Sequence, residues 1–390
     1  MDITLKNLGP IQEANFTVGD LTVICGRNNT GKTYITYATY GFLDYWHSGW
    51  PEISPIAGFD KHPLETYARR LLHVACMEYS SNWISKIFVG GKNKFKNSTF
   101  YLDDDIYETP SVKSKNVKTL PNVFIASAER TGAALFQREV DFTRSRLIDI
   151  LKETNVNPQQ LLGHFTAEYP LPVKHNIDFI RDLPNIVNKQ SIFAQEHPEV
   201  LQTFDDIAGG EYTINRAGGI SYSPSNQPDL NLSLAESSST VRSLVEIGFY
   251  LRHLAQKGDL LMVDEPELNL HPENQRKIAR LFAILVNHGI RVFITTHSDY
   301  IIKEFNTLLL LNKPDERLQV LAQREGYQLS ELLKPEQLNV YMTVVDERVT
   351  DKVSYTLIPA KITHDSGIEL TSFNDTIEDM NRLQDEIVWG

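Results

Sequence analysis

The sequence predicts an α/β fold organised around a glycine loop that joins a buried strand to a helix. Three observations predict it. The stretch Gly26-Arg27-Asn28-Asn29-Thr30-Gly31-Lys32-Thr33 fits the phosphate-binding pattern G-x-x-x-x-G-K-[ST] at every fixed position. The apolar run Leu21–Cys25 before it reads as a buried strand, and the run from Tyr34 to Leu43 after it as a helix. Two later apolar runs, 259–264 and 291–296, also read as buried strands and end in Asp264-Glu265 and His297-Ser298-Asp299. In such a loop Gly26 and Gly31 let the backbone turn its N–H groups onto phosphate oxygens. The helix N-terminus adds partial positive charge. Lys32 can reach the terminal phosphates, and the Thr33 hydroxyl can ligate Mg²⁺.

Bulk composition sets the setting. The 390 residues are 41% hydrophobic and 23% charged, as in ordinary globular proteins, and suffice for one large domain or two to three smaller ones. A net charge of −12 argues against a nucleic-acid-binding surface overall, because phosphate contacts need clustered cations. Cys25 and Cys76 cannot form a disulfide framework. No apolar run approaches the ~20 residues of a membrane span, and Met1-Asp2-Ile3-Thr4 does not start a signal peptide. The expectation is a cytoplasmic protein without a membrane partner.

The elements follow in order. Residues 1–20 alternate on either side of Gly9-Pro10 and predict a β-hairpin. Leu64 to Ile87 is helical in pattern, and Phe95 to Tyr107 extended. Asp103-Asp104-Asp105 reads as a solvated turn rather than a metal site, since strand neighbours point to opposite faces. The lysines of 86–96 and 113–118 read either as a patch for a phosphate backbone or as exposed loops. Asn122 to Ser127 is a β-rich run closed by Ala128-Glu129-Arg130-Thr131-Gly132, with an amphipathic helix from about 133 to 153 behind it. Glu129 and Arg130 are therefore candidates for a nucleotide site; Arg130 reads equally as part of a helix-capping turn. Residues 154–207 are helical, with breaks expected at Pro158, Pro170, Pro172, Pro184 and Pro198, and 209–232 read as hairpin strands.

The second half of the site begins at Ser233. Ser237-Ser238-Ser239-Thr240 opens an apolar-periodic helix, which reads either as an anion site or as a plain serine cap. Asp264 is placed to hold the Mg²⁺ shell and Glu265 to act as general base on a water. Glu267-Leu268-Asn269-Leu270-His271 forms a loop before Pro272, which starts a helix. His297, at the end of the next strand, reads as a sensor of the γ-phosphate. Leu308 to Leu311 reads as a further core strand. Residues 339–361 alternate like antiparallel strands. From Asp365 onward seven acids face one base, Arg382, and this tail reads as a solvated cap or a docking surface for a basic partner.

Phosphate loop, serine-rich helix start, Asp-Glu strand and His strand, in this order, resemble the ABC-type ATPases, and within them the RecF/SMC/OLD-like branch. Asp264-Glu265-Pro266-Glu267-Leu268-Asn269-Leu270-His271-Pro272 looks most like the OLD-like prokaryotic defence ATPases, as does Ala128 to Gly132. The resemblance implies an ABC-type ATPase head with an N-terminal antiparallel hairpin, an inserted helical lobe and a small α+β C-terminal cap. Its divisions are 1–132 with an insertion near 44–120, the lobe 133–208, the second head segment 209–312 and the cap 313–390. It implies ATP and Mg²⁺ as cofactors, and head-to-tail homodimers or higher oligomers. There Ser237, Ser238 and Ser239 of one copy would cap the ATP held by Gly26 to Thr33 of the other, with Asn269 and His271 in the loop coupling the sites. Two departures stand out: the usual glycine pair after the signature serine is missing, and no glutamine closes the 123–127 strand. Relatives of this kind work in PARIS-, retron- or Septu-type systems. The implied function is an ATP-hydrolysing switch that senses DNA or a phage component and controls a separate nuclease or toxin. The alternative is a RecF-like DNA repair ATPase.

Overall fold

The computed structural model describes residues 1–48, 80–88, 92–103, 120–135, 169–215, 218–350, 352–369 and 382–387. The chain opens with the expected hairpin, β1 (Asp2–Leu8) and β2 (Ile11–Thr17), turning at Gly9. The strand β3 (Leu21–Cys25) leads through the glycine loop into α1 (Lys32–Ser48). The next described pieces are α2 (Ser80–Ile87), β4 (Thr99–Asp103) and β5 (Val123–Ala126). Three helices follow: α3 (Leu171–Ile186), α4 (Ile192–Glu196) and α5 (Pro198–Ala208). A small sheet of β6 (Gly210–Ile214), β7 (Ile220–Pro224) and β8 (Leu232–Ser233) precedes α6 (Ser239–His253). Then come β9 (Leu260–Asp264), α7 (Pro272–Asn287), β10 (Arg291–Thr296), α8 (Asp299–Leu311) and α9 (Glu316–Arg324). The chain returns through β11 (Leu338–Val345) and β12 (Tyr355–Pro359), with β13 (Lys361–Thr363) and β14 (Gly367–Glu369) as a small ladder.

Nine strands form one sheet in the order β4-β1-β2-β12-β11-β3-β10-β9-β5. The half from β11 to β5 is parallel, and the hairpin side is largely antiparallel. The parallel strands are buried on both faces, which is why they read as unbroken apolar runs. Their alternate residues enter two cores. Val23, Leu261, Val263, Val292 and Ile294 pack with α5 to α8, and Ile24, Leu260, Met262 and Phe293 pack with α1 and the hairpin. Helices α3 to α5 contribute Leu183, Phe193 and Phe204 to the first of these cores. No helix among the described residues is long and apolar enough to cross a membrane.

The fold class holds as α/β, with three differences in its parts. Leu308 to Leu311 is not a strand but the last turn of α8, capped by Ser298. A run of four leucines has no period of its own. Ile301, Ile302, Phe305, Leu308 and Leu309 do have helical spacing, and they are the buried face. Pro184 does not break α3, which runs on to Ile186; Pro172 lies in its first turn, where a missing N–H costs nothing. The C-terminal segment is more than a cap. β11 pairs in parallel with β3, Leu338 beside Leu21 and Met342 beside Cys25, and β12 reaches β2. The expected helices over 64–79 and 136–153, the lysines at 113–118, Asp104-Asp105, Pro158 and Cys76 lie outside the described residues.

Candidate functional site

Register brings the site together. Cys25 lies beside Thr296, and Thr295 beside Asp264, so β3, β10 and β9 end at one level. The loops after them therefore emerge side by side at the carboxyl edge of the sheet, where α/β folds place their ligands.

In the glycine loop, Gly26, Asn29 and Gly31 take φ of 148°, 63° and 96°. Arg27, Asn28 and Asn29 are exposed, whereas Thr30 and Lys32 are buried. The Lys32 ammonium donates to the carbonyls of Gly26 at 2.9 Å and Arg27 at 2.8 Å. Burial pulls its pKa down, against the charges of Glu265, Asp264 and Glu267. The loop is braced from the C-terminal strand. The hydroxyls of Thr30 and Thr343 lie 2.7 Å apart, and a Cβ on Gly26 would fall 1.9 Å from Thr343 Oγ1. Only glycine allows β11 this close.

Asp264 is fully buried at the end of β9. Its Oδ1 accepts from the Thr295 hydroxyl, and Oδ2 has no partner. Burial pushes its carboxyl up to about 6, Glu265 adds to this, and the hydrogen bond from Thr295 and the nearby Thr33 hydroxyl work against it. A buried carboxylate oxygen without a donor, beside the Thr33 hydroxyl at the loop, is an oxygen set that suits Mg²⁺. Thr33 and Asp264 would hold that ion.

Glu265 has φ 52°, a left-handed backbone that turns the chain off the strand. Its carboxylate lies 3.6 Å from His297 Nδ1, and the same nitrogen is 3.1 Å from Glu267 Oε1. Hydrogen bonding to His297 holds Glu265 below the usual carboxylate range, and Lys32 and Arg130 add to this. His297 is raised in turn, by Glu265 first and then Glu267. Glu267 is buried and also accepts from the Thr296 hydroxyl at 2.9 Å and His297 N–H at 2.7 Å. It fixes the histidine loop, a role that its place in the Pro-Glu-Leu-Asn loop did not signal. A cleft of about 720 Å³ opens alongside, lined by Arg27, Thr30, Glu267, His297, Thr343 and Tyr355 among others.

Other expected residues lie elsewhere. Ser237 is buried and donates to Ser233 O at 2.8 Å, while Ser238 caps α6 by accepting from Val241 N–H. Ser238 and Ser239 are exposed. None of the three serines hydrogen-bonds the glycine loop of its own chain. The Thr240 hydroxyl donates to Asn269 O at 2.7 Å, tying this turn to the loop after Glu265. His271 is the N-cap of α7, accepting from Glu273 N–H.

Arg130 does not face phosphate. It is fully buried and donates to Ser243 O, Ser127 O, Asp264 O and Glu265 O at 2.8 to 3.0 Å. Its five donors in a planar fork suit four carbonyls from three elements better than one anion. Glu129 is exposed and accepts from the Tyr37 hydroxyl at 2.6 Å; its charge raises Asp264 slightly, so it stands near the ion-holding carboxylate.

Comparison with known proteins adds three findings. Solved structures align over nearly the whole chain but loosely. The SMC head domain from Thermotoga maritima is 11% identical, with TM-score 0.34, covering 93% of this chain and 98% of its own. An Smc head domain bound to the C-terminal domain of ScpA, derived from Pyrococcus furiosus, is 11% identical, with TM-score 0.36 and 98% of each chain covered. An ATP-binding cassette of an ABC transporter, in its ADP conformation, is 12% identical, with TM-score 0.34, covering 94% and 93%. No curated protein sequence matches. The profile of the AAA ATPase domain matches residues 77–302, which takes in Arg130, Asp264, Glu265 and His297 and leaves the glycine loop outside. That match spans more than half of the sequence, and the chain belongs to the AAA ATPase domain family.

Proposed function

We propose that the chain binds and hydrolyses ATP at this edge of the sheet, in a site completed by a second copy. The observation that carries the reading is the convergence of Lys32, Asp264, Glu265 and His297 at the ends of three adjacent parallel strands. Bound Mg²⁺·ATP would supply a phosphoryl group whose charge the ion offsets. Lys32 binds its terminal oxygens, and Asp264 and Thr33 hold the ion. Glu265, ionised and half-buried, takes the proton of the attacking water onto its carboxylate. His297 stays protonated to higher pH than a free imidazole, so it can donate to an anionic oxygen while Glu267 holds its ring.

Ser238 and Ser239 support the two-copy reading. They are exposed at a helix N-terminus, where backbone N–H groups favour an anion, and make no hydrogen bond to their own loop. The Thr240–Asn269 bond then links the serine turn lent to the partner with the acid loop kept for the chain's own ATP. ATP binding would close the dimer and hydrolysis would open it. In that reading the product is a change of assembly that releases or restrains a separate effector, a nuclease or toxin, in defence against phage. The likeness of residues 264–272 to defence ATPases carries this last step.

The test is phosphate release together with light scattering. Glu265→Gln should lower turnover by about 10²–10⁴-fold and trap an ATP-dependent dimer that Ser239→Arg prevents. Full turnover in Glu265→Gln would sink the assignment of the base. A monomer at saturating ATP would sink the composite site. Cells carrying the chain with its native neighbours should restrict phage, and Lys32→Ala should abolish this; equal plaque counts would remove the defence reading. A mobility shift of DNA that appears only with ATP would favour the RecF-like alternative.

A further inference from the structure

We infer that His197, Glu199 and His288 form a site for a divalent transition metal, with zinc the first candidate, far along α7 from its His271 cap. One ligand atom from each of the three lies within 4.8 Å of the others. Among the described residues this is the group of histidine and acidic side chains that meets so closely. The local geometry is that of a ligand set. Two ligand atoms at tetrahedral zinc bond lengths lie about 3.3 Å apart, and His197 Nδ1 is 3.3 Å from Glu199 Oε1.

The second histidine is prepared for the same task. His288 is the C-cap of α7, and its Nδ1 lies 2.8 Å from Ile284 O. A carbonyl can only accept, so Nδ1 carries the proton and Nε2 keeps the lone pair. A backbone carbonyl behind the ring is the usual outer partner of a metal-bound histidine, fixing both tautomer and orientation. Phe193 packs its edge against the same ring, which limits its rotation. The His197 and His288 rings stand at 68°, centroids 4.3 Å apart. Two imidazoles and one carboxylate favour zinc and its neighbours over Mg²⁺ or Ca²⁺, which want oxygen alone. Three protein ligands leave a fourth position for water.

The ion would join the start of α5 to the end of α7. His197 is the N-cap of α5, which leads through β6 to β8 into the serine turn before α6. A metal here would staple the start of α5, which leads through β6 to β8 into the Ser237 to Ser239 turn, onto the C-terminal end of α7.

The test uses the full chain stripped with a chelator and titrated with ZnCl₂ in excess Mg²⁺, which occupies the Asp264 oxygens. Calorimetry and elemental analysis should give one zinc per chain, and the melting temperature should rise by several degrees. Cobalt should show the visible bands of a tetrahedral ion. His197→Gln with Glu199→Gln should lose that equivalent of zinc and the thermal shift while keeping the native circular dichroism. His288→Gln, whose amide can still donate to Ile284 O, should do the same. Absence of stoichiometric zinc in the unaltered chain would overturn the site, and so would zinc that survives both variants, since it would then sit among Glu265, Glu267 and His297.

Discussion

At the scale of single residues, two buried ionisable side chains decide more than their positions in the sequence announced. Arg130 gathers carbonyls from the turn after β5, from α6 and from the end of β9, so it fixes the backbone on which Asp264 and Glu265 stand. Arg130→Met should cost about 3–5 kcal/mol in urea unfolding. Arg130→Lys should recover little, because one ammonium cannot serve four carbonyls spread across a plane. Equal stability of Arg130→Met would end the strut reading. Glu246, close enough to feel the Arg130 charge, is fully buried with neither oxygen bonded, and burial raises its pKa well above a normal glutamate, Arg130 pulling the other way. An acid raised in the fold favours folding while protonated. Its contribution is therefore present below the unfolded value near 4.5 and lost as pH rises to the folded value. Glu246→Gln should flatten this decline, so its urea midpoint should gain on the parent as pH is raised; parallel curves would count against it. In the active cluster, Glu267→Gln should lower kcat by up to about 100-fold with little change in KM for ATP, because it releases His297 without touching the phosphate loop. A change confined to KM would place Glu267 in nucleotide binding instead.

At the scale of elements, the parts legible in the sequence were those with a local signature. Gly26 to Thr33 carries its own spacing, and Asp264-Glu265 and His297 stand at strand ends that two-faced burial makes conspicuous. The role of Arg130 is not legible locally, because its partners Ser243, Asp264 and Glu265 lie more than a hundred residues away in chain order. Leu308 to Leu311 misled because a run of leucines is equally apolar on a strand and on a helix. Nothing local in 338–345 marks it as the neighbour of β3, since parallel pairing leaves no turn between the partners. Thr343 follows from that pairing. Thr343→Val keeps the shape but removes the bond to Thr30; it should raise KM for ATP and cost about 1 kcal/mol. An unchanged KM would mean that β11 supports the sheet and leaves the loop alone.

At the scale of the whole molecule, the site divides into residues held in one chain and residues offered outward. Lys32, Asp264, Glu265, Glu267 and His297 interlock within the sheet edge, while Ser238 and Ser239 face solvent. A net charge of −12 sets two copies to repel at long range. ATP-driven dimerisation of Glu265→Gln should therefore strengthen as salt is raised from low to physiological levels. The opposite trend would point to opposed charges at the contact.

The order of the strands has a consequence for how the protein is made. β11 and β12 are synthesised after β1 to β10, yet they fill the gap between β2 and β3. Until they leave the ribosome, the nascent chain holds a hairpin and a phosphate-loop strand with facing open edges, and Thr30 lacks its brace. The brace on the glycine loop thus comes from a residue 313 positions downstream, and the loop is completed only once β11 has left the ribosome and paired with β3.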